Sequence, residues 1–260
     1  MNFTEVMSTL TPADEGWRAE VDESWLQGRS LFGGLQAALA IQAMRAQVPA
    51  ALPLRALQTT FVAPVPAGPV RVRARVLRIG SNTVHAEARL VDGDDTLCAA
   101  LGVFGRPRAS VLRVAPPPPA PVGSGGVTFV YQPGVFPAFT QHFDVRWLRG
   151  DPPFSGGTLI EQSLRIGLRD VGPVHEGHVA ALADFIPPIA LSLLHAPTPG
   201  SSLTWMLEFL GDAAAEPLEG WRVEARLDAA VDGYTSQAVR LFAPSGAPAA
   251  LSRQSMVVFG

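Results

Sequence analysis

The same pattern of residues occurs twice along this chain, and that repetition limits the possible folds more than any other property. Ala74-Arg75-Val76 is followed, thirteen residues after Val76, by Arg89-Leu90; Ala225-Arg226-Leu227 is followed, thirteen residues after Leu227, by Arg240-Leu241. Each half then closes on one tripeptide, Val103-Phe104-Gly105 and Val258-Phe259-Gly260. Equal order and spacing across half a chain point to a duplicated unit. Two like units dock as an internal pseudo-dimer with one groove between them, and each copy is free to specialise.

The join is residues 106–126, RPRASVLRVAPPPPAPVGSGG. Four consecutive prolines favour polyproline II, and the Gly-Ser-Gly-Gly tail is pliant. Fully extended, such a segment reaches ~70 Å, enough to cross a whole unit before the next begins. Residues 1–105 are therefore read as the first unit, 106–126 as a linker and 127–260 as the second unit.

In the first unit Gly33-Gly34 precede Leu35–Val48, a strongly helix-forming run that is apolar around most of its circumference and stops at Pro49. Strands are predicted at 55–63, 69–79, 83–91 and 96–104. In the second of these Val70, Val72, Ala74 and Val76 alternate with Arg71, Arg73 and Arg75, a clean period of two. The second unit predicts strands near 139–148 and 158–169, a helix starting near Asp184, then strands near 202–210, 220–231, 234–243 and 248–259. A buried helix wrapped by an antiparallel sheet, made twice, predicts an α+β double hotdog whose two sheets join edge to edge into one pseudo-dimeric sheet.

Composition removes several classes of function. A net charge of -3 gives no basic field for phosphate backbones, so nucleic acid is not an expected partner. Every basic residue is Arg and none is Lys, which excludes Schiff-base chemistry and a P-loop lysine. Cys98, the single cysteine, lies in an apolar run and reads as a buried thiol. No apolar stretch approaches the ~20 residues of a membrane span, and the N-terminus does not read as a signal peptide, so a cytoplasmic location is the default expectation. No metal or cofactor is expected: His175-Glu176-Gly177-His178 misses the His-Glu-x-x-His spacing and, beside Gly172-Pro173, reads as a solvated loop. There is neither a Gly-x-Ser-x-Gly elbow nor a Gly-x-Gly-x-x-Gly loop.

Short segments along nearly the whole chain resemble the double-hotdog acyl-CoA thioesterases of the thioesterase II type. They are Leu31-Phe32-Gly33-Gly34-Leu35-Gln36, Phe61-Val62-Ala63-Pro64, Ala183-Asp184-Phe185, Ser201-Ser202-Leu203-Thr204-Trp205 and Leu251-Ser252-Arg253-Gln254. The resemblance implies hydrolysis of acyl-CoA, in fatty acid metabolism, by an Asp, a Thr or Ser hydroxyl and a Gln that hold a water. Carried over by position these are Asp184, Ser202 and Gln254. Ser stands where the family has Thr, which keeps a non-hydrolytic acyl-thioester binding protein of the same fold as the alternative. Thr204, two residues on and so on the same face of a regular strand, is the substitute hydroxyl. Double hotdogs also include dehydratases, but their Asp-x-Asn-Pro-x-His type of segment does not occur here. Fused hotdogs often pair again, so a homo-oligomer such as a dimer is compatible with the reading.

The chemistry fits those residue types. Asp184 can serve as general base, Ser202 and Gln254 can each donate and accept to orient water, and the Gly33-Gly34 amides can meet developing negative charge at a helix N-terminus. Asp184 ahead of Pro187-Pro188 reads equally well as a helix N-cap, and Gly33-Gly34 as a tight entry turn. Gln254, aligned from the closing tripeptide, falls opposite apolar Ala99 of the first copy, an asymmetry expected if one half keeps the chemistry. The Arg71–Arg78 strand reads as a wet sheet face, or as a receiver of coenzyme A phosphates.

Overall fold

A computed structural model of the chain describes residues 1–121 and 125–259, so Val122, Gly123 and Ser124 of the predicted linker, and Gly260, lie outside the described residues. In chain order the helices are α1 (Phe3–Ser8), α2 (Gly33–Arg45) and α3 (Glu176–Asp184). Strands β1 (Thr11–Ala13) and β2 (Gly16–Val21) precede a small ribbon of β3 (Leu26–Gln27) and β4 (Ser30–Leu31). After α2 come β5 (Leu54–Phe61), β6 (Gly68–Ile79), β7 (Thr83–Asp92) and β8 (Asp95–Gly105). The later half holds β9 (Val127–Phe129), β10 (Phe143–Arg149), β11 (Glu161–Leu168), β12 (Gly200–Phe209), β13 (Trp221–Val231), β14 (Tyr234–Phe242) and β15 (Pro248–Val258).

All but β3 and β4 form one antiparallel sheet of 13 strands, ordered β1-β2-β6-β7-β8-β5-β12-β15-β14-β13-β11-β10-β9. About the β5–β12 junction, β5-β8-β7-β6-β2 mirrors β12-β15-β14-β13-β11, with β1 added at one edge and β10 and β9 at the other. There the two copies meet in a continuous ladder, from Thr60 opposite Thr204 to Ala56 opposite Glu208. The architecture is the expected α+β double hotdog. Inward residues such as Val70 and Val72 are buried while Arg71 and Arg75 stay exposed, as the period of two requires. Arg73 and Arg75 pair with Glu15 and Glu87, at 2.5 Å and 2.7 Å. Cys98 is buried, and that burial pushes its thiol up to about 12. The proline tract runs against the second copy, where Arg222 and Arg240 donate to the carbonyls of Ala120 and Pro117.

Register fixes the correspondence between copies. Arg89 pairs with Ala99 and Ala88 with Ala100; Arg240 pairs with Leu251 and Val239 with Ser252. Carried along the strands, Ala86 opposite Gly102 corresponds to Gln237 opposite Gln254. The irregularities correspond as well. β6–β7 slips between Val76 and Arg78 and β13–β14 between Leu227 and Ala229; β5–β8 slips between Leu54 and Ala56 and β12–β15 between Ser202 and Thr204. A bulge bends its strand and changes which residues face inward, so bulges at equivalent places give both sheets the same curvature around their helices.

Two sequence expectations are corrected by this register. The counterpart of Gln254 is Gly102, not Ala99. The closing tripeptides do not superpose either, because Val103 aligns with Ser255 rather than Val258. The second helix also differs from expectation, since it ends rather than begins at Asp184. His175 caps its start by accepting from the Gly177 amide while the His178 ring accepts from the His175 amide. Pro187 and Pro188 stop the helix, because proline has no N–H to continue it. The His175–His178 segment is accordingly the first turn of α3, with His178 buried and bonded to Asp170, rather than a solvated loop. The strand expected at 139–148 is shorter, with a 3-10 turn over Ala138–His142 before β10. Elements α1 and β1–β4 had no counterpart in the sequence reading.

Candidate active site

The first turn of α2 is built to leave donors available. Its N-cap is Phe32, which makes no side-chain capping bond, so the initial N–H groups look outward for partners. The partner comes from the other copy. α2 and α3 pack together, and the backbone N–H of Gly34 donates to the carboxyl of Asp184 at the last residue of α3. Glycine at both positions is demanded by contact. A Cβ on Gly33 would lie 2.7 Å from Asp184 Oδ2 and 3.0 Å from Phe61 Cζ, and one on Gly34 would lie 2.8 Å from the Ala181 backbone.

On its other side the carboxyl meets the sheet. Gln254 Nε2 donates to Asp184 Oδ1 and to Ser202 Oγ, each at 2.9 Å, so one amide group bridges the carboxylate and the hydroxyl. Gln254 stands on β15, and its cross-strand partner on β12 is Trp205. The bulge at Leu203 brings Ser202 to the same side. Ser202 pairs with buried Met256, and Thr204 pairs with Ser255. Thr204 is consequently turned to the exposed outer face with Met206 and Glu208, away from Asp184. The same-face expectation for Ser202 and Thr204 assumed a regular strand and does not hold across a bulge.

Asp184, Ser202, Gln254, Gly33 and Gly34 therefore converge, and Thr204 does not. Asp184 is partly accessible, but its carboxyl lies among protein atoms. Burial pushes it up to about 7, against the lowering effect of the Gln254 and Gly34 hydrogen bonds. A carboxyl poised there holds and releases a proton near neutrality, which is what a general base requires. Phe185, the next residue, packs against Phe139 and Phe143, and Phe32 stacks on Phe139 with ring centroids 4.1 Å apart. An apolar wall thus borders the polar cluster. Two shallow grooves elsewhere, lined by residues such as Arg89 and Leu101 or Met206 and Arg253, open on the outer sheet face.

Sequence reasoning missed one neighbouring group. Gln237, buried on β14 directly across from Gln254, accepts from the backbone N–H of Ile189 at 3.0 Å.

The chain matches the acyl-CoA thioesterase N-terminal domain over residues 21–105 and the acyl-CoA thioesterase C-terminal domain over residues 113–258. No curated protein matches it. A hot dog fold protein of unknown function from Alicyclobacillus acidocaldarius superposes with a TM-score of 0.88 at 22% identity, over 99% of this chain and 98% of that one. The tesB protein of Mycobacterium avium subspecies paratuberculosis gives 0.79 at 15% identity over 100% of both chains. The acyl-CoA thioesterase II TesB2 of Mycobacterium marinum gives 0.71 at 16% over 98% and 97%. At such identities the likeness is one of fold. No helix among the described residues is long and apolar enough to cross a membrane.

Proposed function

The chain belongs to the acyl-CoA thioesterase family, and from that membership we propose that it hydrolyses acyl-CoA thioesters with Asp184 as general base. The observation that carries the reading is the bridge of Gln254 between Asp184 and Ser202. Both hydrogens of the Gln254 amide are used in that bridge, so the residue holds the other two in place. Ser202 accepts from Gln254 and keeps its own proton for a water molecule. Asp184 takes a proton from that water as the oxygen attacks the thioester carbonyl. The N–H of Gly33, which opens α2, is the donor left for the oxyanion, where the helix dipole also favours negative charge. One such donor is typically worth ~3 kcal/mol. Collapse of the tetrahedral intermediate expels the CoA thiolate, which takes up a proton to leave as the thiol.

The test is thiol release across a series of acyl-CoA chain lengths, with wild type and Asp184→Asn. Loss of the base is expected to lower kcat by at least ~100-fold. An equal rate in the variant removes Asp184 from the reaction. Tight acyl-CoA binding by wild type with no thiol released at any length would replace hydrolysis with binding.

A further inference from the structure

Two buried polar side chains beside the candidate site each carry an atom with no partner among the described residues. Gln237 is fully buried and Thr235 nearly so. Gln237 Nε2 and Thr235 Oγ1 make no hydrogen bond among the described residues. The amide cannot be turned round to cure this, because the Ile189 N–H is a donor and must face the Gln237 oxygen. Residues two apart on a strand share a face. Gln237 lies opposite Gln254, and Thr235 opposite Met256, which in turn lies opposite Ser202. Both therefore adjoin the Asp184 cluster, one strand further into the second copy, ~4.8 Å away.

The fold does not require polarity there. Their counterparts in the first copy are Ala86 and Val84, both buried and apolar, just as Gln254 corresponds to Gly102 and Ser202 to Leu54. Apart from Thr59 on β5, which is buried opposite Trp205 with its own hydroxyl unpartnered, the polar inward residues named in this patch belong to the copy that holds the carboxylate. The cover differs as well. α2 runs for 13 residues over the first sheet, whereas α3 stops after 9, and beyond Asp184 the cover is Pro187-Pro188 and a 3-10 turn over Ile189–Leu193 that packs on β13. An unpaired amide donor and an unpaired hydroxyl call for an oxygen-bearing ligand, since burying them unmet is costly.

Resting on the hydrolase reading of the Asp184 site, we propose that Thr235 and Gln237 form a subsite for an oxygen on carbon 3 of the acyl chain, so that the favoured substrates are 3-hydroxyacyl or 3-oxoacyl thioesters rather than plain acyl ones. Gln237 Nε2 donates to that oxygen while its Oε1 stays on Ile189. Thr235 adds a second donor, or accepts from a hydroxyl.

The experiment compares kcat/KM for 3-hydroxyoctanoyl-CoA and 3-oxooctanoyl-CoA with octanoyl-CoA, in wild type, Thr235→Val and Gln237→Met. Wild type is expected to prefer at least one oxygenated substrate by about tenfold or more, the ratio one hydrogen bond of about 1.4 kcal/mol supplies. Thr235→Val, which removes only the hydroxyl at nearly constant volume, is expected to bring the ratio down at least threefold, and Gln237→Met to bring it near one. A wild-type ratio near one, or a ratio unchanged in Thr235→Val, overturns the subsite even if Gln237→Met fails to fold. If wild type releases thiol from none of the three, the hydrolase reading fails instead. Calorimetric binding of the same thioesters to wild type and Thr235→Val then decides the subsite by the same ratios.

Discussion

The carboxyl of Asp184 sits where the last turn of one helix meets the first turn of another, and its protonation decides when it can act. With its titration raised to about 7, the carboxylate that takes a proton from water in the proposed reaction is depleted in acid. The rate constant kcat/KM is therefore expected to fall about tenfold per pH unit below 7 and to level above it. Asp184→Asn should give a profile without that inflection; a wild-type plateau extending unbroken to pH 5 would assign the base elsewhere. Gln254 holds the carboxylate and Ser202 rather than the acyl chain. Truncation to Ala is expected to lower kcat by ~10-fold or more while KM stays within about twofold. A change confined to KM would make Gln254 a binding residue instead. These residue types were legible beforehand, because an acid, a hydroxyl and an amide in separate segments matched the family pattern in order. Gln237 and Thr235 were not, since their meaning appears only when the strands are registered against Ala86 and Val84.

At the scale of elements, the approach of α2 to Asp184 depends on the missing side chain at Gly33. Gly33→Ala would set a methyl 2.7 Å from Asp184 Oδ2, and neither Phe61 nor the carboxyl has room to yield without moving the cluster. Turnover is expected to drop at least ~10-fold in a protein that still folds, because the Gly33 backbone is not in the left-handed conformation that would demand glycine. Normal kcat in this variant would show that the carboxylate tolerates displacement. The strands were readable from their alternation to within a few residues. Helix α3 was misplaced because Pro187-Pro188 serves equally well as a helix start or a helix stop, and only the histidine cap at its true beginning decides. The swap of Thr204 for Ser202 has a similar origin. Strict alternation puts both on one face, and a bulge leaves no mark in composition.

For the molecule as a whole, buried groups of the second copy push the response to acid in opposite directions. His142 is lowered to about 4 and His178 is also lowered, both chiefly by burial. Unfolding lets these histidines take up protons near 6.5, so their contribution to stability is intact above that pH and is lost as pH falls below it, for His142 down to about 4. Asp184 works in the opposite sense. Raised from 3.8 to about 7 by burial, it destabilises the fold above pH 7, and that penalty fades as the pH drops through the same window. The wild-type Tm is expected to fall on acidification, and Asp184→Asn to fall more steeply between pH 7 and 4. Superposable Tm curves would mean that the carboxyl titrates alike in folded and unfolded chains. The α1 segment belongs to this acid-sensitive region, since Thr4 donates to the same Asp170 oxygen that holds His178 and Phe3 packs on the His178 ring.

The bulge that turns Ser202 toward Asp184 has its twin at Arg55, where the same kink presents only Leu54. The bend is thus common to both copies, and the proposed chemistry rests on side chains that only one of them carries. On the proposed reading, a handful of side chains and a shortened helix set the two halves apart, so the first copy is a natural place to build a second centre by substitution.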